Sequence, residues 1–323
     1  MSKTQNQHYV PKFYLHGFTN GNAQLSVYNR ETQRYKDDYT PKGIAYETGL
    51  YKVEMMPDKN GKPHELEELF CFIENACAPI FEKIARREDL THKDREALAV
   101  YVASQYLRTP GNLNTTKEQM EGMHATMMNM ALEIWATNPK ALASQNKEAV
   151  SRGMEPLTRE SIQKVIDGGG VKSKAPKGAY VKQNMEMITP VARGWLEGSW
   201  IISQVPDGCA LITSDHPVCL FGDRGGTANP GTLIVFPINK KQLLVIQNNN
   251  YPTAIYDRCN KKIVRIMNEV IAESSHKYII GSDRKLVERN VKRADATNVS
   301  TKKRHNVKRF GPMIIATTND NVL

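Results

Sequence analysis

Hydrophobic and polar positions alternate in two blocks of this chain and follow a helical period in the long stretch between them. In the first block, Gln24-Leu25-Ser26-Val27-Tyr28 alternates with a period of two, which sends successive side chains to opposite faces of a sheet. Asn29 to Thr32 reads as a turn, Gln33-Arg34-Tyr35 as the return strand, and Gly49 to Val53 as a third short strand. Asp58 to Pro63 has the residues of a loop. From His64 to Glu88, Leu66, Leu69, Phe70, Ile73, Cys77, Ile80, Phe81 and Ile84 recur at 3.6-residue spacing and predict a helix. Pro79 is expected to kink or split it. Thr91 followed by Asp94 resembles a capping box. The helix it starts carries Leu98, Tyr101, Val102, Gln105 and Tyr106 and is expected to stop at Arg108-Thr109-Pro110-Gly111.

The next predicted helix, about 115–136, is crowded with Met120, Met123, Met127, Met128 and Met130. Such residues serve either an adaptable surface or a core, and the core is the expectation here. Shorter helices follow near 140–151 and 158–167. Gly168-Gly169-Gly170 reads as a flexible linker, since it lacks the GxxxxGK[ST] spacing of a phosphate-cradling loop. A helix over about 179–197 contains Pro190. The second strand block predicts two hairpins: 200–205 with 209–213 around Pro206-Asp207-Gly208, and 232–236 with 242–246 around Pro237 to Lys240. Their short connections imply antiparallel pairing. Lys261 to Ser274 places Ile263, Ile266, Met267, Val270 and Ile271 on one helix face, and His276 to Ile280 reads as a strand. Strands, then helices, then strands define an α+β fold, with a helical middle and antiparallel strands from both ends of the chain.

The segment Gln7 to Phe18 holds four aromatics, a Val and a Leu, too apolar for a frayed end, so it is expected to dock on the core. Docking would give His8, at its start, a defined direction; alternatively the segment only covers an apolar patch.

Composition narrows the class. The chain has 323 residues, is 40% hydrophobic and has no run of 18 apolar residues, so no membrane span is expected. Its first residues lack the apolar region of a signal peptide. Five cysteines without a CxxC pair suit reduced thiols in a cytoplasm and neither a disulfide framework nor a zinc site. The net charge of +10 is uneven: residues 284–309 hold ten Lys/Arg against Glu288 and Asp295, a net +8. A body over 1–283 and a basic C-terminal extension over 284–323, ending in a strand near 312–317, is the expected organisation. Such an extension attracts phosphate backbones or simply stays solvated.

Candidate chemistry lies at polar groups on element ends. Thr213-Ser214-Asp215-His216-Pro217-Val218 closes a predicted strand, where Asp215 can accept a proton, hold a metal or orient a base; the same residues also make ordinary turns. Gln105 and Arg108 share a face at a helix end, where Arg108 can fork onto a phosphate or merely complement the helix dipole. Asn268, on a mostly apolar helix, and His276 are weaker candidates. Glu67 and Glu74, seven apart, read as a solvated face.

His8-Tyr9-Val10-Pro11-x-Phe13-Tyr14-Leu15-x-x-Phe18, Gln105-x-x-Arg108-Thr109-Pro110 and Thr213-Ser214-Asp215-x-Pro217-Val218, followed by Asn268 and Tyr278-Ile279-Ile280, occur in an order that resembles domain-of-unknown-function family number 4238, found in bacteria and viruses. The resemblance spans roughly residues 7–282 and implies that His8, Gln105, Arg108 and Asp215 are the family's signature polar positions. It carries no catalytic role, because the family's reaction is not established. The residue types and charge lead to the expectation of a nuclease acting on RNA or single-stranded nucleic acid. In it His8 is general acid or base, Arg108 stabilises phosphate charge, and Asp215 orients His8 or binds a divalent cation. Gln105, Ser214, Asn268, Lys302, Lys303 and Arg304 hold the substrate. The alternative is a non-enzymatic module that binds nucleic acid or protein, its motif residues forming a buried structural network. No dedicated metal site is expected.

Overall fold

The computed structural model of the protein describes residues 6–51, 66–222, 232–247, 254–299, 305–310 and 313–318. The chain opens with β1 (Asn6–His8), a single helical turn and a half, α1 (Lys12–His16), then β2 (Leu25–Asn29), β3 (Arg34–Tyr39), a 3-10 turn at Pro41–Gly43, and β4 (Tyr46–Thr48). Helices follow: α2 (Leu66–Arg86), α3 (His92–Leu107), α4 (Pro110–Thr137), α5 (Pro139–Ser151), α6 (Arg159–Asp167) and α7 (Lys177–Leu196). The second block is β5 (Ser199–Gln204), β6 (Thr213–Ser214), β7 (Cys219–Gly222), β8 (Thr232–Asn239), β9 (Gln242–Gln247), β10 (Ala254–Arg258), α8 (Lys261–Ser274), β11 (Tyr278–Gly281), α9 (Arg284–Val299), β12 (His305–Phe310) and β13 (Met313–Thr318). The fold is α+β.

Two sheets organise the body. One has the order β10-β5-β9-β8-β7, and the other β3-β2-β11-β6. All pairs are antiparallel except β10 with β5. Strands from both ends of the chain meet in the second sheet, where Val27 pairs with Ile280. The docked N-terminal segment forms as its composition requires: Tyr9, Val10, Tyr14, Leu15 and Phe18 are all buried. Tyr14 stacks on Phe236 with ring centroids 5.2 Å apart, and its hydroxyl donates to the Pro237 carbonyl at 2.8 Å. The Thr91/Asp94 capping box is present.

The chain divides into two compact units, one of residues 1–112 with 183–323 and one of residues 113–182. The boundary expected at residue 284 falls inside the first unit, at the start of α9. There the basic segment becomes a helix that buries Leu286, Val287, Val291 and Ala294 and packs against α8, β2 and β11. The second unit is helical.

Several local expectations are corrected. Helix α3 stops at Arg108 as expected, but Pro110 and Gly111 open α4 at once, because proline is accommodated in a first turn. Of the kink or split expected at Pro79, the split does not occur: α2 runs through it as one helix. Met123, Met127 and Met130 are exposed, at 64%, 63% and 59%, and Met120 and Met128 are half-buried, so none of the five is a fully buried core residue. Gly168 to Gly170 is no free linker: the Val171 N–H donates to Asn129 Oδ1 at 2.6 Å. Residues 209–213 form no hairpin with β5, which pairs with β9 and β10 instead. They cross to the other sheet, where β6 joins β11. Residues 49–51 are a turn, and the rest of the strand expected there, like the loop over 58–63, lies outside the described residues. Among the described residues, no helix is long and apolar enough to cross a membrane.

Candidate functional site

The polar end of α3 is where the N-terminal motif meets the body. Ser104, Gln105, Arg108 and Thr109 are all fully buried. A buried guanidinium requires partners on every side, and Arg108 has them. Its Nε donates to the Tyr9 carbonyl at 2.9 Å, and its Nη1 to Glu74 Oε1 at 2.9 Å. Gln105, its amide oxygen turned toward the guanidinium, accepts from Nε at 2.7 Å and from Nη2. The guanidinium also lies over the Phe70 ring, 4.7 Å from its centroid. The Tyr51 hydroxyl donates to the Arg108 carbonyl at 2.8 Å, while the Tyr51 N–H donates to Gln7 Oε1 at 2.7 Å. Arg108 thus joins α2, α3 and the segment after β1, and no part of its side chain faces solvent.

His8 is fixed from the other side. It pairs with Tyr46 in the β1–β4 ribbon, and its Nε2 lies 3.2 Å from the Lys42 carbonyl. A carbonyl only accepts, so the neutral ring donates from Nε2 and keeps its lone pair on Nδ1. Loss of hydration holds the pKa of His8 below the usual imidazole value, against the opposing Lys42 hydrogen bond. His8 lines a pocket of about 120 Å³ with Gln7, Lys12, Tyr51, Glu67 and Glu74. Glu74, read from its spacing as part of a solvated face, is 23% exposed and held by Arg108. Cys71 also lines this pocket. Desolvation and then the two glutamates push its thiol up, the opposite of what a nucleophilic thiolate needs.

Asp215 does not line that pocket. Its carboxylate accepts the His276 N–H at 3.0 Å and the Lys277 N–H at 2.7 Å, and it is 4% exposed. Burial raises its pKa, while these backbone bonds oppose the rise. Ser214 is equally closed: its hydroxyl donates to the His216 carbonyl at 2.8 Å and accepts the His216 N–H at 3.1 Å. Asn268 spans a break in the chain's pairing, accepting from the Ile212 N–H and donating to the Ala210 carbonyl, both at 3.0 Å. Of the expected site residues, then, His8, Gln105 and Arg108 are brought together around Glu74. Asp215, Ser214 and Asn268 serve backbone elsewhere, and Lys302, Lys303 and Arg304 lie outside the described residues.

Sequence reasoning passed over His216. Its Nδ1 lies 2.7 Å from Thr109 Oγ1, and its ring meets His276 edge-on at 5.4 Å and Tyr106 at 5.6 Å. Burial, then the neighbouring His276, lowers its pKa to about 3. Its folded value lies below the unfolded one of about 6.5, so the folded state binds fewer protons between them. The stability that neutral His216 contributes is therefore complete above pH 6.5 and lost as pH falls toward 3. Urea unfolding of His216→Phe between pH 4 and 6 should show the pH slope reduced by about one proton relative to the wild type; an unchanged slope would exclude this role. The signal available in the sequence was only its place inside the Thr213 to Val218 motif.

A second hollow, of about 430 Å³, lies between α8 and α9. Lys261, Lys262, Arg265, Arg289 and Arg293 line it, with Asn268 and Asn290. Arg265 and Arg293 share one carboxylate, Glu269, each at 3.8 Å. Asp283, on its rim, accepts the Leu286 N–H at 2.8 Å. Among the described residues Lys261, Lys262 and Arg289 have no ion pair. The same residues hold no group of three metal-ligating side chains.

Fold and sites together define an α+β protein whose motif residues brace the docking of the N-terminal segment and of the strand pair β6–β11. A family model described as "Protein of unknown function (DUF4238)" matches residues 6–285, and the chain belongs to that family. No curated protein and no solved structure matches it.

Proposed function

We propose that the protein binds nucleic acid through its phosphates, in a cytoplasm, and does not cut it with the residues of its family motifs. The observation that carries this reading is the α8–α9 hollow, where five cations converge on one concave surface against two carboxylates, Asp283 on its rim and Glu269 shared by two of the arginines. Like charges gathered in this way repel, and a polyanion relieves the repulsion and releases counterions. Cleavage at His8 fits less well. Arg108 is already neutralised by Glu74 and has no solvent-facing atom to offer a phosphate. With Glu74 paired to Arg108, the His8 pocket sets Glu67 against Lys12, which leaves no net positive charge to draw an anion. Gln105 and Arg108 form one buried network and Asp215 a separate one with the His276 and Lys277 N–H groups, each with internal partners. The five cysteines are free, in keeping with a reducing compartment.

The reading is tested by incubating the full chain with labelled RNA and DNA, with and without Mg²⁺ or Mn²⁺, and following both anisotropy and fragment length. Binding that weakens steeply with salt and leaves the strands intact is the expected result. Failure to bind any nucleic acid at 50 mM salt would remove the proposal. Cutting that is lost in His8→Ala would replace it with the nuclease.

A further inference from the structure

We infer that the α8–α9 hollow selects double-stranded over single-stranded nucleic acid; this rests on the nucleic-acid reading above and narrows it. Proteins that hold single strands combine a basic groove with aromatic side chains on which unpaired bases stack. Among the described residues, the hollow is lined by no aromatic side chain at all. Its walls are Lys261, Lys262 and Arg265 from α8 and Arg289 and Arg293 from α9, its floor Asn268. Asn268 itself offers no base an edge, because both ends of its amide are bound to backbone. Asn290 donates from Nδ2 to the Leu286 carbonyl, and its Oδ1 is buried without a partner among the described residues, so the accessible polar groups that these two helices turn to the hollow are cations.

Such a surface reads phosphates and nothing else. A duplex presents what it reads: the bases are stacked inside and the charges stand outside at a high, regular density. A single strand exposes apolar base faces that this hollow cannot cover, and its charge is less dense, so each neutralised phosphate releases less counterion. The walls belong to two helices, so the cations approach a backbone from both sides. Arg289 and Arg293, one helical turn apart, are separated by about 6 Å along α9. The contact is blind to sequence, since no side chain in the hollow has both a donor and an acceptor free for a base edge.

The test measures affinity of the full chain for a labelled random-sequence duplex of about 20 base pairs, as DNA and as RNA, and for the corresponding single strands, between 50 and 200 mM salt. The expected result is tighter binding of both duplexes, by at least about tenfold, with a salt slope of roughly −0.9 per phosphate contact. In Lys262→Ser/Arg289→Ser the slope should fall by about 2. Both residues lack an ion pair among the described residues, and a melting curve checks that the variant folds. Lys261→Ser/Arg265→Ser gives an independent second reading of the same wall. Single strands bound as tightly as duplexes would overturn the inference while leaving nucleic-acid binding intact. Duplex binding with an unchanged salt slope in both double variants would overturn the placement in this hollow. Absence of all binding would overturn the broader reading as well.

Discussion

Arg108→Leu should lower the free energy of unfolding by about 3 kcal/mol, the lower end of the cost of removing one partner of a buried ion pair. Three groups lose their donor at once: the Tyr9 carbonyl, Glu74 and the Gln105 amide oxygen. The first and last are buried and cannot turn to water. Glu74 is 23% exposed and recovers part of its hydration, which keeps the expected cost from the upper end of the range. Arg108→Lys should recover little of this, because an ammonium on a flexible stem cannot reproduce a planar fork with partners on two elements. Urea unfolding of both variants reads the effect. A loss below about 1 kcal/mol in Arg108→Leu, the size of an ordinary surface pair, would mean that the guanidinium is not the brace between α2, α3 and the N-terminal segment.

Asp215→Ala should cost about 2–4 kcal/mol, because it strands two backbone N–H groups, of His276 and Lys277, that only this carboxylate serves. Asp215→Asn keeps one acceptor and should cost about half as much. A residue acting in catalysis would behave differently: the Asn variant would fold as well as the wild type and lose only activity. The pH dependence adds a second reading. Burial raises the folded pKa above the unfolded one, so in the window above about pH 3.9 the folded state binds more protons. Stability attributable to this group is present below the unfolded pKa and declines as pH rises through the folded one. His216, next in sequence, works in the opposite sense over an overlapping range. Asp215→Asn should therefore make the wild-type rise in stability between pH 4 and 6 steeper, measured by urea unfolding at each pH. An unchanged rise would show that the carboxyl ionises as freely in the folded chain as in the unfolded one, and a shallower rise that it ionises more readily in the folded chain.

The regular elements were legible wherever a period ran for several turns or several strand residues. Helices α2, α3, α5, α6, α7 and α8 and the β8–β9 hairpin follow directly from apolar spacing and caps. The signal failed where local pattern and tertiary pairing diverge. Cys209 to Thr213 is apolar enough for a hairpin strand, yet the Leu211 N–H goes to the Lys240 carbonyl and Val205 to Lys241, bonds that no local rule anticipates. Strand β10 pairs in parallel with β5 across more than 40 residues of chain, for the same reason. Helix α9 was hidden by its charge: ten cations in 284–309 drew attention away from Leu286, Val287, Val291 and Ala294, which carry its buried face. The methionines of α4 show the converse. Their spacing fits a core stripe, and only the packing of the unit decides which side it faces.

At the candidate site, residue types pointed to His8, Gln105 and Arg108, and these do gather around one carboxylate. Their roles were not legible, because a buried Arg and a substrate-binding Arg look alike in a string of letters. What separates them is the number of partners already supplied, and for Arg108 those partners come from Tyr9 and Glu74, each remote in sequence.

The stacking of Tyr14 beneath Phe236 carries a consequence for biosynthesis. The Tyr14 hydroxyl binds a carbonyl 223 residues further along the chain. At a translation rate of about 5–20 residues per second, that partner leaves the ribosome roughly 10–45 seconds later. Through that interval Phe13 can already meet Phe81 and Tyr101, but Tyr14 lacks both its stacking partner Phe236 and its carbonyl acceptor. The nascent polypeptide is thus a client for holding chaperones from its first segment onward, and its yield in cells should depend on them more than the modest size of the finished molecule suggests.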